Sequence, residues 1–164
     1  MNRKALSLLV LPALTWAQPP VRPEVYGHAG FLRAGGDEGA LGTGPAFGGA
    51  LMVPFRPKLA LDVDVTSAKT IDEPVGGQRY RLRRTLLSPA VVWRTGSIRG
   101  YFFAGGGFGG QFDSGAGESK TTLLFKAGGA GVIRGRLLWR AGLLWSHAYV
   151  LPNISLIGSV GYRL

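Results

Sequence analysis

From residue 24 onward the sequence breaks into eight segments of about ten residues that alternate large apolar with small or polar side chains, a period of two that few folds can use. The C-terminus shows it most clearly. Ile154, Leu156, Gly158, Val160, Tyr162 and Leu164 share one face; Asn153, Ser155, Ile157, Ser159, Gly161 and Arg163 share the other, with only Ile157 out of place. Leu59, Leu61, Val63 and Val65 alternate in the same way with Ala60, Asp62, Asp64 and Thr66. A helical period is absent because Gly or Pro interrupts nearly every window, and 27 of the 164 residues are glycine. The pattern predicts an all-β chain with strands near 24–34, 45–55, 59–68, 80–93, 98–108, 121–133, 137–147 and 153–163.

The connections alternate in length. Arg56-Pro57-Lys58, Thr95-Gly96-Ser97 and Arg134-Gly135-Arg136 are three-residue turns, whereas 35–44, 69–79 and 109–120 are longer and 148–152 is intermediate. An even number of strands, each long enough to cross a bilayer at a tilt, with short turns on one rim and longer loops on the other, predicts an antiparallel up-and-down transmembrane β-barrel. In such a barrel lipid is the outer solvent, so the apolar face points outward. Large apolar residues here outnumber what a barrel of this size holds inside. The expected lumen is lined by Gly, Ala, Ser and Thr with a few paired ions, and Asp62, Asp64, Lys126 and Arg140 are its candidate ion network. Arg81 to Leu87 fits the alternation poorly, which a bulge near 83–84 or a strand top above the lipid would repair.

Aromatic residues fall near both rims. Phe55, Trp93, Trp139 and Tyr162 lie beside the short turns; Phe31, Phe47, Tyr80, Phe108, Trp145 and Tyr149 lie towards the longer loops, as expected of two headgroup-level girdles. Charge is sorted as well. Six of the nine acids, Asp37, Glu38, Asp72, Glu73, Asp113 and Glu118, fall in the long loops, while Arg56, Lys58, Arg94, Arg134 and Arg136 crowd the short turns.

The N-terminus reads as an export signal. Asn2-Arg3-Lys4 is a cationic start, Ala5 to Leu11 an apolar run, and Thr15-Trp16-Ala17 a small-residue cleavage site ahead of Gln18-Pro19-Pro20. Cleavage after Ala17 leaves residues 18–164 as the barrel. The formal charge of +10 does not argue for nucleic acid, because the basic residues are scattered along an exported chain. Without cysteine there is no disulfide scaffold, thiolate metal site or cysteine nucleophile.

The chain resembles the small eight-stranded outer-membrane barrels of the OmpA/OmpX type. The resemblance rests on Gly48-Gly49-Ala50-Leu51 before a turn, Leu59 to Val65, Tyr101 before Gly105-Gly106-Gly107-Phe108, Lys126 to Gly131, and the closing Gly161-Tyr162-Arg163-Leu164. It implies placement in the outer membrane, contact with its lipids and lipopolysaccharide, and insertion by the barrel-assembly machinery, with Tyr162 and Leu164 as the C-terminal assembly signal. Barrels of this type usually end in Phe or Trp; this chain ends in Leu164.

The expected role is structural or interactive, through the longer loops. An open pore is not expected, since eight strands enclose room only for side chains. Two other readings compete. A soluble exported barrel holding a small apolar ligand would turn Leu59, Leu61, Val63 and Val65 inward. A lipid-modifying enzyme would need a His with a Ser two residues later on a late strand; here Ser146-His147 is followed by Ala148 and Tyr149. No nucleophile, base and acid are nominated together, and Gly105-Gly106-Gly107 lacks the Lys-Ser/Thr and helix of a phosphate loop. No catalytic residue, cofactor, metal site or nucleic-acid partner is expected.

Overall fold

A computed structural model describes residues 22–36, 40–71, 81–97, 99–114, 118–148 and 150–164. The predicted signal peptide and its cleavage site lie outside the described residues, as do Asp37, Glu38, Asp72, Glu73, Tyr80 and Tyr149. The strands are β1 (Glu24–Gly35), β2 (Ala40–Arg56), β3 (Leu59–Ile71), β4 (Arg81–Gly96), β5 (Gly100–Ser114), β6 (Glu118–Arg134), β7 (Leu137–His147) and β8 (Asn153–Arg163). Each pairs antiparallel with the next, and β8 returns to β1 from Glu24↔Arg163 to Arg33↔Ile154, so the sheet is an eight-stranded closed barrel without a free edge.

Several strands run further than the alternation predicts. β5 and β6 remain paired up to Asp113↔Glu118, so the predicted loop 109–120 contracts to 115–117, and the loop 35–44 contracts to 36–39. Polar residues in a strand look like loop residues in the sequence; here Gln111 and Asp113 are inward positions of a continuing ladder. Asp113 is therefore buried, and not an exposed loop acid. At the other rim β4 continues to Gly96, which carries Arg94 into the barrel wall instead of the turn. Pro57-Lys58 and Gly135-Arg136 close two-residue hairpins, each next to a register shift, at Pro54/Arg56 and Val132/Arg134. Gly135 has φ +57, a left-handed turn conformation that a side chain would strain.

No bulge exists at residues 83–84. The β3–β4 ladder is unbroken from Ile71↔Arg81 to Leu59↔Trp93, with Arg83 outward, Arg84 inward, Leu86 inward and Leu87 outward. The stretch looked irregular in sequence because large apolar side chains were assigned to the outer face alone. Inside, Leu32, Leu86, Leu124 and Leu144 belong to one apolar cluster, and Tyr26, Met52, Val92, Phe103 and Leu138 to a second. The lumen is thus filled by bulky residues as well as by the small ones expected.

Glycine makes room for them. Gly105, Gly107 and Gly109 alternate along β5, and a β-carbon on Gly105 would stand 2.6 Å from Val92 Cα on β4. Without side chains there, β5 lies tight against β4 and the wall curves. The β4–β5 pairing is interrupted between Leu87↔Gly110 and Val91↔Gly106, around Pro89, which has no N–H to donate.

The polarity is inverted relative to a soluble barrel. Along β8, Leu156 and Val160 are 60% and 58% exposed, whereas Ser155 is fully buried and Ser159 nearly so. On β3, Leu61 and Val65 are exposed while Ala60, Asp62, Asp64 and Thr66 are buried. These apolar residues line no internal cavity, contrary to what the soluble ligand-binding reading requires. Replacing Leu61 by Arg on a wall that faces lipid near its midplane is expected to cost ~2–4 kcal/mol of folding free energy into bilayers. Urea titration of vesicle-embedded protein reads this out; an unchanged midpoint would contradict the outward assignment.

Candidate functional site

The buried polar groups are stacked in three layers along the lumen, separated by the two apolar clusters. In the central layer Asp62 on β3 meets Lys126 on β6 and Arg140 on β7. The Arg140 guanidinium donates to both Asp62 oxygens, at 2.8 and 2.6 Å, and Lys126 Nζ donates to Asp62 Oδ2 at 3.1 Å and to its carbonyl at 3.3 Å. Arg140 also lies 4.3 Å from the Phe103 ring centroid. Burying this cluster is tolerable because one carboxylate satisfies two cations through bidentate and charge-assisted bonds.

Asp64, the fourth predicted member, makes its direct contacts in a neighbouring group, while its charge still acts on Lys126 and Arg140. It accepts from Thr66 Oγ1 at 2.6 Å and lies 3.7 Å from His28 Nδ1, while His28 Nε2 is 3.0 Å from Thr66 Oγ1. A hydroxyl, an imidazole and a carboxylate in mutual contact have the elements of a nucleophilic triad. The arrangement is wrong for it: Thr66 gives its proton to Asp64 instead of the ring, and all three side chains are sealed in the lumen. Ser146 and His147 cannot cooperate either, since Ser146 faces inward to accept from Asn153 at 3.0 Å and His147 faces outward, stacked on Trp145.

The other two polar layers were not read from the sequence. Near the short turns Glu24 accepts from Arg163 at 3.0 Å and from Tyr26 at 2.7 Å, with a further hydrogen bond from Tyr101. Arg94 is buried over the Tyr101 ring, 4.2 Å from its centroid, and 3.7 Å from Glu24. Near the longer loops Arg84 forms a bidentate pair with Asp113, both bonds 2.7 Å, and donates to Asn153 Oδ1 and to the Gly35 carbonyl. Asn153 in turn donates to Gln111 at 2.8 Å. Parity was the available signal: Glu24 shares a face with Tyr26 and His28, and Asp113 with Gln111, once the strands are drawn to their full length.

On the outer wall Phe55, Trp93, Trp139 and Tyr162 are exposed beside the short turns, and Phe31 and Phe47 are exposed towards the longer loops. Trp145 is half-buried on the same side as Phe31. Phe108 is exposed opposite Leu123, whose other partner, His147, ends β7 on the longer-loop side; β5 continues past it to Ser114 and exposes Phe112 as well. Leu164 is exposed and donates its N–H to the Pro23 carbonyl, which ties the end of β8 to the start of β1. Among the described residues no cluster of three or more His, Asp or Glu could hold a metal ion.

Asp62→Ala is expected to leave Lys126 and Arg140 buried without the carboxylate they bond to, with only the more distant Asp64 to offset their charge, and to cost about 3–5 kcal/mol. Asp64→Asn should cost less, because the amide oxygen still accepts from Thr66. Chemical denaturation in detergent micelles separates the two; equal losses would mean that the central layer is not held by charge pairing.

No family model matches the sequence, and no curated protein is found by sequence similarity. Solved structures are similar in fold. Neisserial surface protein A (NspA) superposes with TM-score 0.72 at 12% identity, over 87% of this chain and 97% of that one. Outer membrane protein OprG from Pseudomonas aeruginosa gives 0.64 at 10% identity, over 90% and 99%. Ail, the attachment invasion locus protein of Yersinia pestis, solved in complex with the heparin analogue sucrose octasulfate, gives 0.56 at 16% identity, over 87% and 97%. At these identities the likeness concerns the fold, and the fold of this chain is that of the small eight-stranded outer-membrane β-barrels.

Proposed function

We propose that this chain is an exported barrel of the bacterial outer membrane with a structural or surface-contact role, performed by the segments that join its strands on the longer-loop rim. One observation carries the reading: a wall that is apolar outside encloses a lumen of buried side chains that bond to one another across it. An apolar outer face needs lipid to cover it. Side chains meet across the lumen at three heights, Arg84 with Asp113 at one end, Asp62 with Lys126 and Arg140 in the middle and Glu24 with Arg94 and Arg163 at the other, which supports a barrel that does not conduct.

The distribution of charge fits the same orientation. Arg56, Lys58, Arg99, Arg134 and Arg136 are exposed in the short turns, where an inner leaflet of anionic lipids would attract them. The connecting segments of the other rim carry Asp37, Glu38, Asp72 and Glu73 and would face the exterior. Surface or attachment roles are named for NspA and Ail, and a contact role is the one extended here. An enzymatic role gains no support, because the Thr66–His28–Asp64 group is sealed from substrate and misdirects the hydroxyl proton.

The test is electrophoresis of the protein from an outer-membrane fraction, unboiled against boiled, with conductance of the same preparation in planar bilayers. A heat-dependent shift and no steady conductance are expected. A soluble periplasmic protein with no shift would overturn the membrane placement, and a steady open conductance would overturn the closed lumen.

A further inference from the structure

Lys69 of β3 and Arg83 of β4 stand directly opposite one another in the ladder, and both are exposed on the outer wall towards the longer loops. Like charges at directly opposed positions of an antiparallel pair repel. Neither has a carboxylate partner among the described residues. Beside them is a groove of about 350 Å³ lined by Pro45, Phe47, Ser67, Ala68, Lys69 and Arg83. Its two halves differ in chemistry. Pro45 and the exposed Phe47 ring on β2 form an apolar side; Lys69 and Arg83 form a cationic one. Arg83 Nε donates to Ser67 Oγ at 3.3 Å, which also accepts from Thr85 at 3.2 Å. That bond uses Nε alone; the terminal amino groups have no hydrogen-bond partner among the described residues.

Two cations in register, without a carboxylate partner among the described residues and next to an apolar shelf on a wall that meets lipid, match a ligand with an anionic group joined to a hydrocarbon chain. We propose that this groove binds a phosphate-bearing lipid of the surrounding leaflet, its phosphate bridging Lys69 and Arg83 and an acyl chain lying over Phe47 and Pro45. The proposal rests on the membrane placement above. A free phosphate would satisfy the cations but leave the apolar half uncovered. The exposed basic residues of the opposite rim offer no such pair: Arg56 stands opposite Leu59, and Arg134 opposite Leu137.

The experiment is native mass spectrometry of the folded barrel in neutral detergent micelles, titrated with phosphorylated lipid A. The wild type is expected to retain lipid A, and the double variant Lys69→Ala/Arg83→Ala to retain it about tenfold more weakly or worse. Dephosphorylated lipid A should bind the wild type as poorly, Phe47→Ala should weaken retention, and Arg136→Ala on the other rim should leave it unchanged. Equal retention by the double variant, equal binding of dephosphorylated lipid A, or displacement by millimolar inorganic phosphate would each overturn the proposal. A boiled and unboiled gel of every variant keeps the two claims apart. Loss of the shift in the wild type overturns the membrane placement and this site with it; an intact shift with unchanged binding in the double variant overturns the site alone.

Discussion

Eight strands closed on themselves enclose a space that side chains alone can fill, so inward groups meet one another across the lumen. Apolar groups do this by packing. Charged groups do it by pairing, because an isolated charge in that interior would cost far more than the barrel can offset. The alternation of polar and apolar layers follows from this constraint. Asp62 bridges β3 to β6 and β7, Glu24 links β1 to β8 and β5, and Arg84 links β4 to β5, β8 and the end of β1. Each layer ties together strands that are not neighbours in the sheet, which backbone ladders cannot do. Removing one partner therefore disturbs the whole cross-section at that height.

The outer wall obeys a simpler rule. Its residues have no protein partner to satisfy, and they are apolar wherever the barrel is to be covered by hydrocarbon. The exceptions stand out for that reason. Lys69 and Arg83 are charges placed in register near the longer-loop end of the wall, with a shelf of Phe47 and Pro45 beside them. A lone snorkelling cation at a rim needs no further account; two opposed ones beside a groove do.

Much of the fold was legible because a strand's period is two whatever its surroundings. The outward facing of Leu61, Val65, Leu156 and Val160 and the inward facing of Asp62, Lys126 and Arg140 follow from parity along segments whose limits were clear; that the three charges meet depends on their height in the lumen, which parity does not carry. Strand ends were less legible. Gln111, Asp113 and Arg94 are polar residues at the ends of strands, and in sequence they are indistinguishable from loop residues; only the partners across the lumen, Arg84, Asn153 and Glu24, make them inward positions. The inner leucines were hidden for a related reason. Leu86 beside Leu87 and Leu123 beside Leu124 each place one side chain in and one out, so the contrast that marks alternation vanishes where both faces are apolar. The glycines of β5 carry the compensating information, since side chains there would push the wall away from β4.

The most direct test of a wall that is apolar outside around a closed lumen uses the absence of native cysteine. Single cysteines at Ser155, Leu156, Ser159 and Val160 on β8 would be spin-labelled in lipid vesicles and their collisions with oxygen and with a water-soluble relaxation agent measured. The account requires high oxygen and low aqueous access at 156 and 160, and low access to both reagents at 155 and 159. Aqueous access at 155 and 159 would mean an open channel, and aqueous access at 156 and 160 would mean that this wall does not face lipid.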